Sequence, residues 1–348
     1  MTIDTLGFLA AVAGLPEQFA SAHRAAGAIP TGAFPSADGV QHIVVCGMGG
    51  SGISGDVLAA SSSGELRVPV IINKQIRTPG FVGPHSLVFA MSYSGDTAET
   101  LSMARGAFDA GARVICVSNG GGLASLAVQH EALHIPCAPG YLPRAALGTL
   151  VVPLFVSLFR MGLLTEAHKA LTTTETQLMV RRDQCAPSVV APNNPAREIA
   201  RRIGRTIPLM YGGGALGGAA AYRWKCDFNE NAKAPAYCAQ YPELAHNEIC
   251  AWGQHGDVTR QLISLVELRH SFEHAELARR FEFTREIIEE AVHQVLEVRA
   301  AGDSRLAQLV DLMYLGDWVS CYTALGNDVD PGPIEAINQL KARLTAES

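Results

Sequence analysis

Along the first 140 residues, short continuous apolar runs alternate with longer segments in which apolar residues recur every three or four positions. The apolar runs fall at 42–46, 68–73, 87–91, 113–118 and 133–136, and helical spacing occupies 51–60, 97–110 and 123–130. Continuous apolar strands separated by amphipathic helices predict a parallel sheet covered on both faces. An apolar patch at 6–15 reads as a first amphipathic helix, and two longer helical segments follow at 144–164 and 166–184. Residues 185–196 break the pattern with Pro187, Pro192, Asn193, Asn194 and Pro195, a linker signal. Beyond it the spacing predicts a helix at 197–204, strands at 207–211, 262–268 and 294–299, a helix at 279–292, and terminal helices at 305–325 and 333–344. The reading is an α/β chain of two parallel-sheet αβα sandwich domains, 1–185 and 186–348, with a helical C-terminus. Its length agrees with a prior of about 150 residues per domain.

The halves share a weak repeat. The first strand runs into Cys46-Gly47-Met48-Gly49-Gly50-Ser51-Gly52, and the first strand of the second half runs into Tyr211-Gly212-Gly213-Gly214-Ala215-Leu216-Gly217-Gly218. Both read as strand, glycine turn, helix. Glycine there permits positive φ and lets backbone approach a ligand.

Composition narrows the function classes. Lys and Arg number 27 against 33 Asp and Glu, a net charge of −6, with 48% apolar and 17% charged residues. Such a chain folds around a core and lacks the basic surface that nucleic acid requires. The longest uncharged apolar run, 145–159, contains Pro153 and is shorter than the roughly 20 residues a membrane span needs. No Lys or Arg precedes Arg24, so the start lacks the basic region of a signal peptide. Eight cysteines show no C-x-x-C pair, which points to a reduced, cytoplasmic protein. His246 and Cys250 are four apart, but two further ligands are not evident, and no metal site is predicted.

Gly47-Met48-Gly49-Gly50-Ser51-Gly52 satisfies G-x-G-x-x-G. The second strand, however, ends in Asn73-Lys74 and not in the acidic residue that holds a dinucleotide ribose. Ile53 and Ser54 exclude a Walker pattern. No nucleotide cofactor is expected. A second turn, Ser92-Tyr93-Ser94-Gly95-Asp96-Thr97, places three hydroxyls before a helix. Free N–H groups at a helix start attract anions, and hydroxyls add neutral donors, so this turn suits a phosphate without Lys or Arg. The plainer alternative is ordinary capping, with Asp96 as N-cap. Two such turns after neighbouring parallel strands favour a shared ligand at the carboxyl edge of the sheet.

Ser92-Tyr93-Ser94-Gly95-x-Thr97-x-Glu99-Thr100 resembles the phosphate loop of sugar isomerase (SIS) domains. Gly47–Gly52, Asn229-Glu230-Asn231-x-Lys233-x-Pro235, Pro242-Glu243-Leu244-x-His246-Asn247-Glu248 and Tyr314-Leu315-Gly316-Asp317-Trp318 resemble the bifunctional phosphoglucose/phosphomannose isomerases, in order along nearly the whole chain. The resemblance implies SIS-type, flavodoxin-like domains and aldose–ketose isomerisation of a small phosphosugar through a cis-enediol, with no cofactor and no metal. It implies Glu230 as base, His246 as ring opener reaching in from the second subunit of a homodimer, and Arg144 beside the reacting carbons. It further implies a C-terminal lysine, Lys341, folding over the site, and Gly49, Gly50, Ser51, Ser92, Ser94 and Thr97 around the 6-phosphate. The chemistry fits these types: a carboxylate base, a histidine that titrates near neutral pH and a permanent cation for the enediolate. One departure stands out. Many members read Asp-Pro-Thr-Pro where this chain has Asp330-Pro331-Gly332-Pro333, and that threonine is associated with accepting mannose 6-phosphate. A non-catalytic phosphosugar sensor, an isomerase of another phosphosugar and an NADP-dependent oxidoreductase remain as rivals.

Overall fold

The computed structural model describes residues 3–346. The chain opens with α1 (Phe8–Ala13), within the helix expected at 6–15, and α2 (Leu15–Gly27), which the apolar pattern did not announce. Then come β1 (His42–Cys46), α3 (Gly49–Ser62), β2 (Val70–Asn73), β3 (Ser86–Met91), α4 (Ala98–Asp109), β4 (Arg113–Ser118), α5 (Gly121–Gln129) and β5 (Leu133–Pro136). A 3-10 turn (Pro143–Ala145) precedes α6 (Leu147–Arg160), where a helix starting at 144 was expected, and α7 (Ala167–Cys185) follows, matching the helix expected at 166–184. The second half holds α8 (Pro195–Ile203), β6 (Ile207–Gly213), α9 (Gly214–Glu230), β7 (Tyr237–Tyr241), α10 (Gly256–Leu262), β8 (Ile263–Arg269), α11 (Ala275–Ile288), β9 (Gln294–Arg299), α12 (Arg305–Gly326) and α13 (Glu335–Ala346).

All strands are parallel. The first sheet has the order β2-β1-β3-β4-β5 and the second β7-β6-β8-β9. Matching β1 with β6, β2 with β7, β3 with β8 and β4 with β9 superposes the two orders, so the glycine repeat reflects a repeated topology. β7 is the strand that the apolar pattern did not announce. It lies at a sheet edge, Tyr237 is exposed, and few of its side chains enter the core, so its sequence carries no strong apolar signal.

Strand alternation divides the core. Ile43 and Val45 of β1 and Met210 of β6 face one shared interior with α2, α3, α6, α7, α9 and α12. Val44 and Cys46 face outward against Met103 and Leu123 of α4 and α5, whereas Leu209 and Tyr211 face Leu277 and Phe281 of α11. The result is α/β/α/β/α layering with a common helical middle. Helix α12 is buried on almost every side, as expected for a helix apolar all round. Its polar residues are paired: Asp311 accepts from Arg181 Nε and Nη2 at 2.8 and 2.7 Å and from Gln177 Nε2 at 2.8 Å. Among the described residues no helix is long and apolar enough to cross a membrane.

Candidate functional site

The two glycine turns are built alike at the backbone. A Cβ on Gly52 would lie 2.7 Å from Gly47 O, and one on Gly217 would lie 2.7 Å from the carbonyl carbon of Gly212. Gly49 and Gly214 each adopt positive φ, at 52° and 59°. Strand and helix therefore meet backbone to backbone in both halves, which explains the five-residue glycine spacing.

In the first half this turn meets the β3–α4 loop. The Tyr93 N–H donates to Ser51 Oγ at 3.2 Å, joining the two. Ser92 Oγ lies 2.9 Å from Thr97 Oγ1 and 3.4 Å from Ser94 Oγ, and it accepts the Gly95 N–H at 3.1 Å. Ser92 is buried and braces the loop. Ser94 and Gly49 are exposed, and Thr97 is half-buried at its rim. Neither α3 nor α4 has a side chain capping its N-terminus, so two helix starts of 14 and 12 residues border one hydroxyl-lined cup. The alternative of Asp96 as N-cap of α4 does not hold. Thr97 occupies the N-cap position, and the Asp96 carboxylate accepts the Gly122 N–H at 2.8 Å instead, at the start of α5.

Arg144 adjoins this cup. A Cβ on Gly50 would lie 3.2 Å from Pro143 O and 3.7 Å from Arg144 Cα. The Arg144 side chain is 5% exposed. Its Nε donates to Asn231 Oδ1 at 2.8 Å, and its Nη2 donates to Pro331 O and Gly332 O at 2.5 Å each. The guanidinium carbon sits 4.1 Å from the centre of the Phe8 ring. Burial pushes the Arg144 pKa down, and the negative charge of Glu230 opposes it; a guanidinium remains cationic throughout. Glu230 is the last residue of α9 and is half-buried. Its carbonyl accepts Lys233 Nζ at 2.6 Å. Lys233 itself has φ 54°, a left-handed conformation that non-glycine residues seldom adopt.

Behind Glu230 lies a buried ionic cluster. Arg223 Nη2 donates to Asp317 Oδ1 at 2.7 Å and to the Arg144 carbonyl at 2.8 Å. Its Nε lies 3.0 Å from Asp227 Oδ2, an ion pair whose angle is not that of a hydrogen bond. Burial first, and then the neighbouring Asp317, push the Asp227 carboxyl well up, against the attraction of Arg223. The cluster ties α9 to α12 and to the turn carrying Arg144.

Gly49, Gly50, Ser51, Ser92, Ser94, Thr97, Arg144 and Glu230 thus lie along one continuous region. His246 is exposed in the 3-10 turn Glu243–His246 after edge strand β7, and it makes no hydrogen bond or ion pair with Arg144, Glu230 or the cup among the described residues. Lys341 lies on exposed α13. Sequence reasoning passed over Phe8, Asn231 as the partner of Arg144, and the Arg223 cluster. Asn231 carried a signal in its place beside Glu230; Phe8 carried none, because its contact with Arg144 spans most of the first half of the chain.

Residues 192–344 match the pattern of the bacterial phospho-glucose isomerase C-terminal SIS domain. The bifunctional phosphoglucose/phosphomannose isomerase of Caldicellulosiruptor bescii is 33% identical over 96% of this chain and 97% of its own length. The chain belongs to the bifunctional phosphoglucose/phosphomannose isomerase family. A second member, from Thermoplasma acidophilum, is 32% identical over 92% of this chain and 93% of its own. A solved glucose-6-phosphate isomerase like protein from Thermus thermophilus superposes with a TM-score of 0.64 at 23% identity, over 97% of this chain and 95% of that one. It shares the two-sheet SIS architecture.

Proposed function

We propose that this chain interconverts glucose 6-phosphate with fructose 6-phosphate, with mannose 6-phosphate as a further aldose. The observation that carries the reading is the contact of Gly50 with Arg144 and of Arg144 with Asn231, next to Glu230. It joins an anion cup, a buried cation and a carboxylate in one place.

In this reading the 6-phosphate sits at the starts of α3 and α4, held by Ser51, Ser94, Thr97 and backbone N–H groups, while Ser92 shapes the loop. Glu230 removes the C2 proton of the open-chain aldose and returns it to C1, as the hydroxyl proton moves from O2 to O1. Arg144 has Nε and Nη2 committed to protein acceptors. Its Nη1 is the donor left for the enediolate oxygen, a fixed positive charge where negative charge develops. His246 opens the sugar ring from the partner protomer of a homodimer, and Lys341 approaches with the terminal helix. The chain is read as two domains, 1–185 and 186–348, of a cytoplasmic enzyme.

The test is Glu230→Gln. Removal of a general base lowers turnover by about 10²–10⁴-fold. Tm and stabilisation by inorganic phosphate stay unchanged, and exchange of the C2 proton with deuterated solvent stops. A variant that keeps full turnover removes Glu230 from the role.

A further inference from the structure

The position of the family threonine, Gly332, does not simply lack a side chain. Its backbone lies outside the left-handed region, so its conformation admits any residue. Space does not: an ideal Cβ there would lie 2.8 Å from Leu6 Cβ, 3.0 Å from Leu6 Cγ and 3.2 Å from Leu6 Cδ1. Because Leu6 Cβ is the root of its side chain, a rotamer change cannot relieve that contact. Gly332 is buried, and Leu6, 53% exposed, covers it from outside.

The neighbours of Leu6 grip the Asp330–Gly332 strap. Thr5 donates through its N–H and its hydroxyl to Asp330 Oδ2 at 3.2 and 2.5 Å. The Gly332 N–H donates to Asp330 Oδ1 at 2.9 Å. Asp4 anchors the other end by accepting the Phe8 and Leu9 N–H groups at 2.6 and 2.9 Å. Phe8, 1% exposed, presents its ring to the Arg144 guanidinium, whose Nη2 is held by the Pro331 and Gly332 carbonyls. The N-terminal segment therefore reaches one guanidinium by two routes, through the strap and through the Phe8 ring.

We propose that Thr5–Phe8 is a working part of the active site, in which Leu6 and Gly332 form a steric pair that sets the position of Arg144 and jointly determines which side chain the strap can present to the sugar. Leu6 is a positioning and specificity residue, far in sequence from every motif of the site. Its kinetic consequences rest on the isomerase reading above; the steric pairing does not.

The experiment is a double-mutant cycle in the full chain: Gly332→Thr, Leu6→Gly, which removes the Leu6 Cβ that lies 2.8 Å from an added Cβ, and the two together. It reads kcat and KM separately for glucose 6-phosphate and mannose 6-phosphate, with Tm alongside. Gly332→Thr alone is expected to lower kcat on glucose 6-phosphate by about tenfold or more with little change in KM, since it displaces Arg144 and not the phosphate cup. Leu6→Gly alone lowers kcat by about three- to fivefold, less than Gly332→Thr does, and the double variant recovers to within about threefold of Leu6→Gly. The double variant also has a higher Tm than Gly332→Thr and shows a changed ratio of mannose to glucose turnover. If Gly332→Thr fails to fold, Gly332→Ala in the same cycle gives the same ordering with smaller shifts. The proposal is overturned if Gly332→Thr matches the parent, or if adding Leu6→Gly leaves kcat and Tm no better than Gly332→Thr alone. A parent protein that turns over neither sugar refutes the isomerase reading, and the Tm cycle still decides the pairing.

Discussion

The two glycine turns share a backbone plan and differ in what fills them. Gly47, Gly49 and Gly52 correspond to Gly212, Gly214 and Gly217 in spacing, close approach and positive φ. Where the first turn carries Ser51, the second carries Leu216, which is 2% exposed and part of the shared core. Where the first turn opens onto hydroxyls, the second is plugged by Glu273: a Cβ on Gly213 would meet Glu273 Oε1 at 3.0 Å. That carboxylate accepts from Arg269 Nε and Nη2 at 3.0 and 2.8 Å and from the His270 N–H at 3.0 Å. His270 Nε2 closes the turn further, 2.8 Å from Gly213 O. The carboxylate, neutralised by Arg269, occupies the space beside Gly213 and takes up the donors there, so a phosphate is left neither room nor those donors. A repeated fold thus supplies two geometrically suitable anion sites, and side chains leave one of them open.

Substitutions can break this comparison at several depths. The largest effect is expected at the shared backbone contact. Gly212→Ala sets a Cβ 2.0 Å from Gly217 O, and Gly47→Ala sets one 2.9 Å from Met91 O. Backbone cannot yield as a side chain can, so Gly212→Ala should cost about 3 kcal/mol or more. Gly47→Ala should cost less; urea unfolding of both variants checks the order.

Leu216→Ser writes the first turn's residue into the second. It removes a buried side chain and should cost about 2–4 kcal/mol. It should not create a phosphate site while Glu273 remains, so inorganic phosphate raises its Tm no more than that of the parent. An extra phosphate-dependent rise would show that Leu216, and not Glu273, closes the second turn.

Ser51→Ala acts on the open turn. A hydrogen bond to a charged group contributes about 1.5–3 kcal/mol, so KM for glucose 6-phosphate should rise about tenfold or more with kcat little changed, while the Tyr93 N–H loses its acceptor and stability falls by about 1–3 kcal/mol. Steady-state kinetics decide it; a fall in kcat at constant KM would move Ser51 from phosphate binding to the reacting end.

The smallest effect is in pH. Burial holds His270 at the plugged turn, and His134 on β5, below the ordinary histidine range, against the hydrogen bonds they donate to Gly213 O and to the Ser118 backbone. Both are neutral in the fold and take up a proton more readily when unfolded. Their contribution is complete above about pH 6.5 and is lost as pH falls through that range. The urea midpoint should therefore decline on acidification below pH 6.5, and the decline should be shallower in His270→Asn.

Most of the architecture could be read from the order of residues. Strands at 42–46 and 113–118 are visible because central parallel strands buried on both faces are continuous apolar runs; the edge strands at 133–136 and 294–299 are only partly buried and give a weaker pattern. The glycine turns and the hydroxyl loop are visible because backbone constraints and phosphate binding act over a few consecutive residues. Edge strand β7 was not: two of its five residues are exposed and only Tyr241 is buried. Nor was the break between Ala145 and α6, which is set by the way Pro143 and Arg144 meet Gly50. The residue types needed for an isomerase were present in the sequence as isolated candidates. Tertiary structure alone decided that Asn231, Pro331 and Gly332 hold Arg144, that Asp96 serves α5, that Glu273 fills the second turn, and that Leu6 occupies the space beside Gly332. Each of these depends on atoms brought within a few ångströms from distant parts of the chain. Periodicity and local spacing record what a residue does along its own element, not what packs across it.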